Sequence, residues 1–153
     1  MGASRRLISP SYLTANAGLR LALIGIIPAA ADRAADFLQA RQQADGSIDS
    51  YLPIYWLGAA LWQQTGRIDT AASTIDHLAS RVPDLSAGNL AWMILALREG
   101  GVAADNVAVI AALDRLLALR DPAGHWPADE GADNAVHVTI EALKSLQLCG
   151  YRI

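Results

Sequence analysis

The chain has one cysteine, Cys149, so no internal disulfide can form, and a lone thiol fits a reducing compartment. A cytoplasmic setting is therefore expected. It also lacks basic runs. Twelve Lys and Arg residues are scattered with no run beyond Arg5-Arg6, and the formal net charge is -3, which leaves no footprint for a polyanion and argues against nucleic acid as a partner. Long apolar stretches are missing too. Arg5-Arg6 followed by LALIGIIPAAA loosely imitates a signal peptide, but the run Leu21 to Ile27 is far short of the roughly 20 residues that a membrane span requires. That run reads as the buried end of a helix, and no integral membrane segment is expected. Finally, no segment alternates β-branched or aromatic residues with polar ones, which removes the sheet signal.

What is present is helical. Hydrophobic residues make up 53% of the chain, ample for one domain spanning residues 1–153, and they recur at three- and four-residue intervals. Gly and Pro punctuate the pattern at Pro28, Asp45-Gly46, Gly66, Pro83, Gly100-Gly101, Pro122 to Gly124 and Gly150. This spacing predicts about seven helices, near residues 11–26, 29–43, 50–65, 69–81, 86–99, 104–120 and 133–149. Short connections imply stacked antiparallel hairpins with a repeat of about 35 to 45 residues, an all-α, α/α array. The segments YLPIYWLGAALW, NLAWMILAL and HVTIEALKSLQL carry few charges and read as inner helices; AADRAADFLQARQQ and NVAVIAALDRLLALR keep a charged side and read as outer ones.

Phe37-Leu38, Arg41-Gln42 and Asp45-Gly46-Ser47 resemble the repeat of squalene and hopene cyclases, close to FLxxxQxxDGxW, with Ile48 in place of Trp. Leu116-Leu117, Arg120, Gly124 and Trp126 repeat it one residue shorter, with Asp121 at the Gln position, and Thr70 to Gly100 forms a degenerate unit between them. The resemblance covers about residues 29 to 150 and implies the α/α toroid of terpenoid cyclases and protein prenyltransferases. Seven helices would make only an arc, a partial toroid of about half a ring with two open edges. In these phrases Gln and Arg can bond helix-end carbonyls, Gly46 can supply a positive φ, and the Trp can pack over the join, so each copy reads first as a structural staple. The DxDD and DDxxD signatures of the family are absent, so its standard chemistry is not implied. The Asp, Cys and His of the prenyltransferase zinc site have no counterpart, because Cys149 lies at the far end of its helix from Asp133 and His137. Neither metal nor cofactor is expected.

Inner helices that each follow a turn present their N-termini at one rim, where free N–H groups and the helix dipole favour anions or polar groups. Asp49, Ser50 and Tyr51 gather there, as do Asp84, Ser86 and Asn89, and then Asp129, Asp133, Asn134 and His137. Ser50, Ser86 and Asp133 have a plainer role open to them as N-caps; Asn89 and His137 lie a turn further in. Tyr51, Tyr55 and Trp62 fall on one stripe, with Trp56 adjacent, Trp92 on the next inner helix and Trp126 after the second turn. Such aromatics suit a hydrophobic ligand or a delocalised cation, and equally an ordinary core. In DNAVHVTIEALK, Asp133, His137 and Glu141 are four apart, so His137 can hold a proton between two carboxylates, while Asn134, His137, Glu141 and Lys144 can also be a solvated flank. His77 reads as surface, and His125 as within reach of the rim.

Two function classes fit. In the first, which the resemblance implies, the chain is a small cyclase- or isomerase-like enzyme of isoprenoid or other natural-product metabolism. A hydrophobic small molecule would bind among Tyr51, Tyr55, Trp56, Asn89, Trp92 and Trp126, with Asp49, Asp129, Asp133 or His137 for acid/base work. In the second it is a non-catalytic helical-repeat interaction module. The first is favoured, because interior aromatics and rim carboxylates together exceed what a scaffold needs. In either class the open edges call for a homodimer or a protein partner.

Overall fold

The computed structural model describes residues 9–153; Arg5-Arg6, half of the signal-like pattern, lies outside them. Among the described residues there are seven α-helices and no β-strand: α1 Pro10–Ile24, α2 Pro28–Gln39, α3 Pro53–Gln64, α4 Ile68–Arg81, α5 Ala87–Glu99, α6 Val107–Ala118 and α7 Ala135–Leu148. Short 3₁₀ turns at Val82–Asp84 and Ala132–Asn134 precede α5 and α7. Among the described residues no helix is long and apolar enough to cross a membrane.

The helices lie in two rows. α3 packs on both α1 and α5, and α5 on α7, while α2, α4 and α6 flank that inner row, α2 against α1 and α3, α4 against α3 and α6, and α6 against α5. One continuous apolar cluster draws side chains from all seven helices. α3 and α5 are buried around nearly their whole circumference, as the absence of charge from α3 and, before Arg98 and Glu99, from α5 requires. Close approach depends on small residues. A Cβ on Gly18 of α1 would stand 2.6 Å from Ala34 Cβ, and one on Gly100 would stand 2.6 Å from Ala60 Cβ.

Helix starts and stops follow local chemistry. α1, α2 and α3 each open with Pro at the first position, where its missing N–H costs nothing. α3, α5 and α7 close on one pattern. The amides of Arg67, Val102 and Tyr151 reach back five residues to Trp62, Leu97 and Leu146, with Gly66, Gly101 and Gly150 in the left-handed region just before. All three inner helices after α1 therefore stop at equivalent points. Ser11 Oγ of α1 donates to Asp49 Oδ2, just ahead of α3, and Arg98 near the end of α5 donates to the Leu148 carbonyl at the end of α7. The N-termini of the inner helices accordingly share one end of the array.

The two related turns are the same structure without the one-residue gap expected from sequence. The amide of Gln43 donates to the Ser47 carbonyl and that of Gly46 to Gln43; the amide of Asp121 donates to the His125 carbonyl and that of Gly124 to Asp121. Ile48 and Trp126 then occupy equivalent, fully buried places. Gln42 and Arg120 do not bond helix-end carbonyls as expected. Gln42 Nε2 crosses to the Thr70 carbonyl and Thr74 Oγ1 of α4, both at 2.9 Å, and Arg120 lies over the Trp126 ring. It is Trp126 whose Nε1 donates to a carbonyl in the last turn of α6, Leu116, at 2.7 Å. Ser47 donates to Asp45 from both amide and hydroxyl, which holds that carboxyl below its usual range.

Two local expectations are corrected. Leu21 to Ile27 is not a buried helix end: Ile24 is 62% and Ile26 75% exposed, because α1 stops at Gly25 and the run turns outward at the edge of the array. Among the expected caps, Ser86 accepts from the Asn89 amide at 3.3 Å, whereas Ser50 and Asp133 cap nothing, since α3 begins only at Pro53 and α7 only at Ala135.

Candidate functional site

Between the N-terminal halves of α5 and α7 lies an open groove of about 580 Å³. Its making is local on each side. The Ser86 cap fixes the start of α5, and Asn89 and Trp92, three residues apart, then project on one face. Asn134, just ahead of α7, and His137 and Glu141 on it recur at three- and four-residue steps and face them, with Val138 between. Gly88 and Val138 are where the two helices meet, and a Cβ on Gly88 would lie in ordinary contact with Val138.

The third wall is Ala128, Asp129 and Glu130, from the segment joining α6 to α7. That segment is anchored rather than loose. Trp126 is buried beneath it, its backbone amide donates to Thr139 Oγ1 of α7 at 3.0 Å, and Asn134 Nδ2 donates to the Glu130 carbonyl at 3.3 Å. Trp92 is half-buried and meets Trp56 edge-on, ring centres 5.6 Å apart. Trp56 is fully buried, and its indole N–H has no hydrogen-bond partner among the described residues. Glu141 pairs with Lys144 at 3.3 Å, and neither Asp129 nor Glu130 has an ion-pair partner among the described residues.

The groove thus brings together Asn89, Trp92, Asp129 and His137. The chain matches no protein-family model, no curated protein and no solved structure in the comparisons made. What the site can do rests on its own geometry.

The remaining candidates stand elsewhere, so the aromatic and rim residues do not surround one void. Asp49 has a positive φ of 47° ahead of α3; its side chain accepts from Ser11 and its carbonyl from the Tyr55 hydroxyl at 3.0 Å. Tyr55 is buried edge-on to His77 of α4, and Tyr51 is exposed against Tyr12 of α1. These residues form a cluster at the α1, α3 and α4 end. Trp56 backs Trp92 without lining the groove, and Trp126 lies under the loop. Asp133 sits exposed in the 3₁₀ turn before α7, and no hydrogen bond joins His137 to it or to Glu141 among the described residues. His77 is largely covered rather than surface, its Nδ1 3.1 Å from the Asp45 carbonyl, and exposed His125 faces Asp121 instead of the rim. Glu130, Ala128 and Val138 were not singled out from the sequence. The first lies beside Asp129 in a polar loop, and the other two have no chemistry to mark them.

Cys149, at the far end of α7, is half-buried, and burial pushes its thiol pKa up, opposed by the nearby Arg98. Among the described residues no three His, Cys, Asp or Glu side chains are grouped as a metal ion would need.

Proposed function

We propose that the chain binds a small molecule with an apolar body in the α5–α7 groove and that His137 acts there as proton donor or acceptor. The supporting observation is the meeting, in one volume of about 580 Å³, of an indole wall, an imidazole and carboxylates. That volume lies within the range of about 300–1,000 Å³ usual for small-molecule sites. In keeping with the resemblance to terpenoid cyclase repeats, the two rows of helices are read as an arc of an α/α toroid. The reaction class is acid/base-assisted cyclisation or isomerisation of a hydrophobic natural product.

The test has two parts. Titration of apolar natural-product precursors should shift the indole signal of Trp92 and the amides of Gly88 and Val138 in an NMR spectrum. For a precursor that turns over, His137→Ala should cut the rate by about 10²- to 10⁴-fold while the circular dichroism spectrum is unchanged. Full turnover in a folded His137→Ala protein removes the acid/base role.

A second reading, a helical-repeat interaction module, is favoured by one observation. Aliphatic side chains stand exposed at both ends of the inner row: Val136 and Ile140 on α7, and Leu13, Ile24, Ile26 and Ile27 on or just after α1. Clusters of this kind mark association surfaces, and a homodimer or a protein partner would cover them. Light scattering at micromolar concentration, with Ile140→Glu and Ile24→Glu alongside, tests this. A monodisperse monomer that both variants leave unchanged removes the homodimer.

A further inference from the structure

Resting on the small-molecule reading of the α5–α7 groove, we infer that its ligand is an organic cation, an amine or quaternary ammonium carried on an apolar body. The charge lining the groove is of one sign. Asp129, Glu130 and Glu141 bring three carboxylates to it, and among the described residues no Lys or Arg lines it. Lys144, three residues beyond Glu141 on α7, is engaged with it at 3.3 Å and does not line the groove. The opposing field comes from the helix N-termini, which favour anions, but each amounts to only about half a positive charge and fades within the first turn. At α5 the Ser86 hydroxyl already takes the Asn89 amide. Three full negative charges outweigh two such ends, even with Lys144 added.

The wall opposite α7 suits the same guest. Trp92 lines the groove and is held from behind by Trp56 at an interplanar angle of 62°. An indole attracts a cation within about 6 Å of its ring centre. Asn89 and the imidazole of His137 add hydrogen-bonding groups for an N–H donor or a polar substituent. An anionic ligand would instead have to approach three carboxylates with no Lys or Arg among the described residues lining the site to receive it.

Three probes of similar size separate the possibilities: benzyltrimethylammonium, its neutral isostere neopentylbenzene, and phenylacetate. Each is titrated into the full chain at pH 8 in 50 mM salt, with the indole N–H of Trp92 and the amides of Asn89 and Val138 followed by NMR. The cation should bind on the order of tenfold tighter than the neutral isostere. Raising the salt to 500 mM should erode that advantage, because the carboxylates are open to solvent and screened. The double variant Asp129→Asn, Glu141→Gln should weaken the cation's binding severalfold and leave that of neopentylbenzene unchanged, the remainder of the preference resting on Glu130 and Trp92; Asp129 is exposed, so the change asks little of the fold. Equal binding of cation and neutral isostere, insensitive to salt, overturns the cation inference and leaves the small-molecule reading standing. Tightest binding by phenylacetate overturns it in favour of the helix ends. No shift at Trp92, Asn89 or Val138 with any of the three overturns both.

Discussion

Replacing Gly46 with alanine tests how the turns hold the array together. Gly46 has φ 84°, and a Cβ there would stand 2.6 Å from the Ser73 carbonyl carbon, and closer still to its oxygen, on the backbone of α4. Gly25, with φ 72°, has nothing among the described residues within 4 Å of the same hypothetical atom. Both substitutions carry the left-handed penalty of about 1–2 kcal/mol, offset by about 0.4–1 kcal/mol from the stiffer unfolded chain. Gly25→Ala should therefore lose about 1 kcal/mol. Gly46→Ala must also push the turn off α4, an overpacking cost of about 1–3 kcal/mol. The shift would weaken the bonds from Thr74 to the Gly46 carbonyl and from Gln42 to Thr70, at about 1 kcal/mol each. The expected total is about 4–6 kcal/mol. Urea unfolding followed by circular dichroism reads this directly. With an m value of about 1–3 kcal/mol/M, the Gly46→Ala midpoint should fall by well over 1 M, and by a multiple of the shift in Gly25→Ala. Equal midpoints for the two variants at unchanged m would refute the idea that the turn is wedged against α4.

The buried tryptophans should differ in their response to phenylalanine. Trp62 donates to the Ala35 carbonyl at 3.1 Å and Trp126 to Leu116 at 2.7 Å, while the Trp56 N–H has no partner among the described residues, so Trp56→Phe should be the mildest by about 1–2 kcal/mol in the same unfolding assay. Because burial raises the Cys149 pKa, its protonated thiol contributes stability that is present below the unfolded value of 9.0 and is lost as pH rises through the higher folded value. Cys149→Ala should flatten the alkaline limb of a stability–pH curve, and an identical limb in the variant would count against the shift. Asp45 has the opposite sign. Its lowered pKa adds stability above the unfolded value of 3.8 that is lost as pH falls through the lower folded one, so Ser47→Ala should make the protein unfold at a higher pH during acid titration.

Much of the scaffold was legible in the chain because it is written locally. The position of each glycine stop, the prolines that open helices and the three- and four-residue apolar steps depend on residues within a few positions, and they gave seven helices in nearly the observed places. The same spacing put Asn89 with Trp92, and His137 with Glu141, on shared helix faces. Errors arose where a local signal met a longer-range one. Gln42 and Gln43 look helical but turn to meet Ser47 and α4, so α2 ends at Gln39, and Tyr51 falls before α3 and off its stripe.

The sequence by itself determined that the chain would form helices, where α3, α5 and α7 would stop, and that Asn89 with Trp92 and His137 with Glu141 would share faces. Only the tertiary structure decided that α5 lies beside α7, so that Asn89 and Trp92 face His137 across a groove, and that Trp126 and Asn134 bring Asp129 and Glu130 to its rim. It also sent Asp49, Tyr51 and Tyr55 to a different corner and left Ile24 and Ile26 exposed. The reason is physical. Periodicity and capping act within one segment, whereas the choice of neighbouring helix depends on how distant surfaces fit, as where Gly18 admits Ala34 and Leu61, and Gly100 admits Ala60.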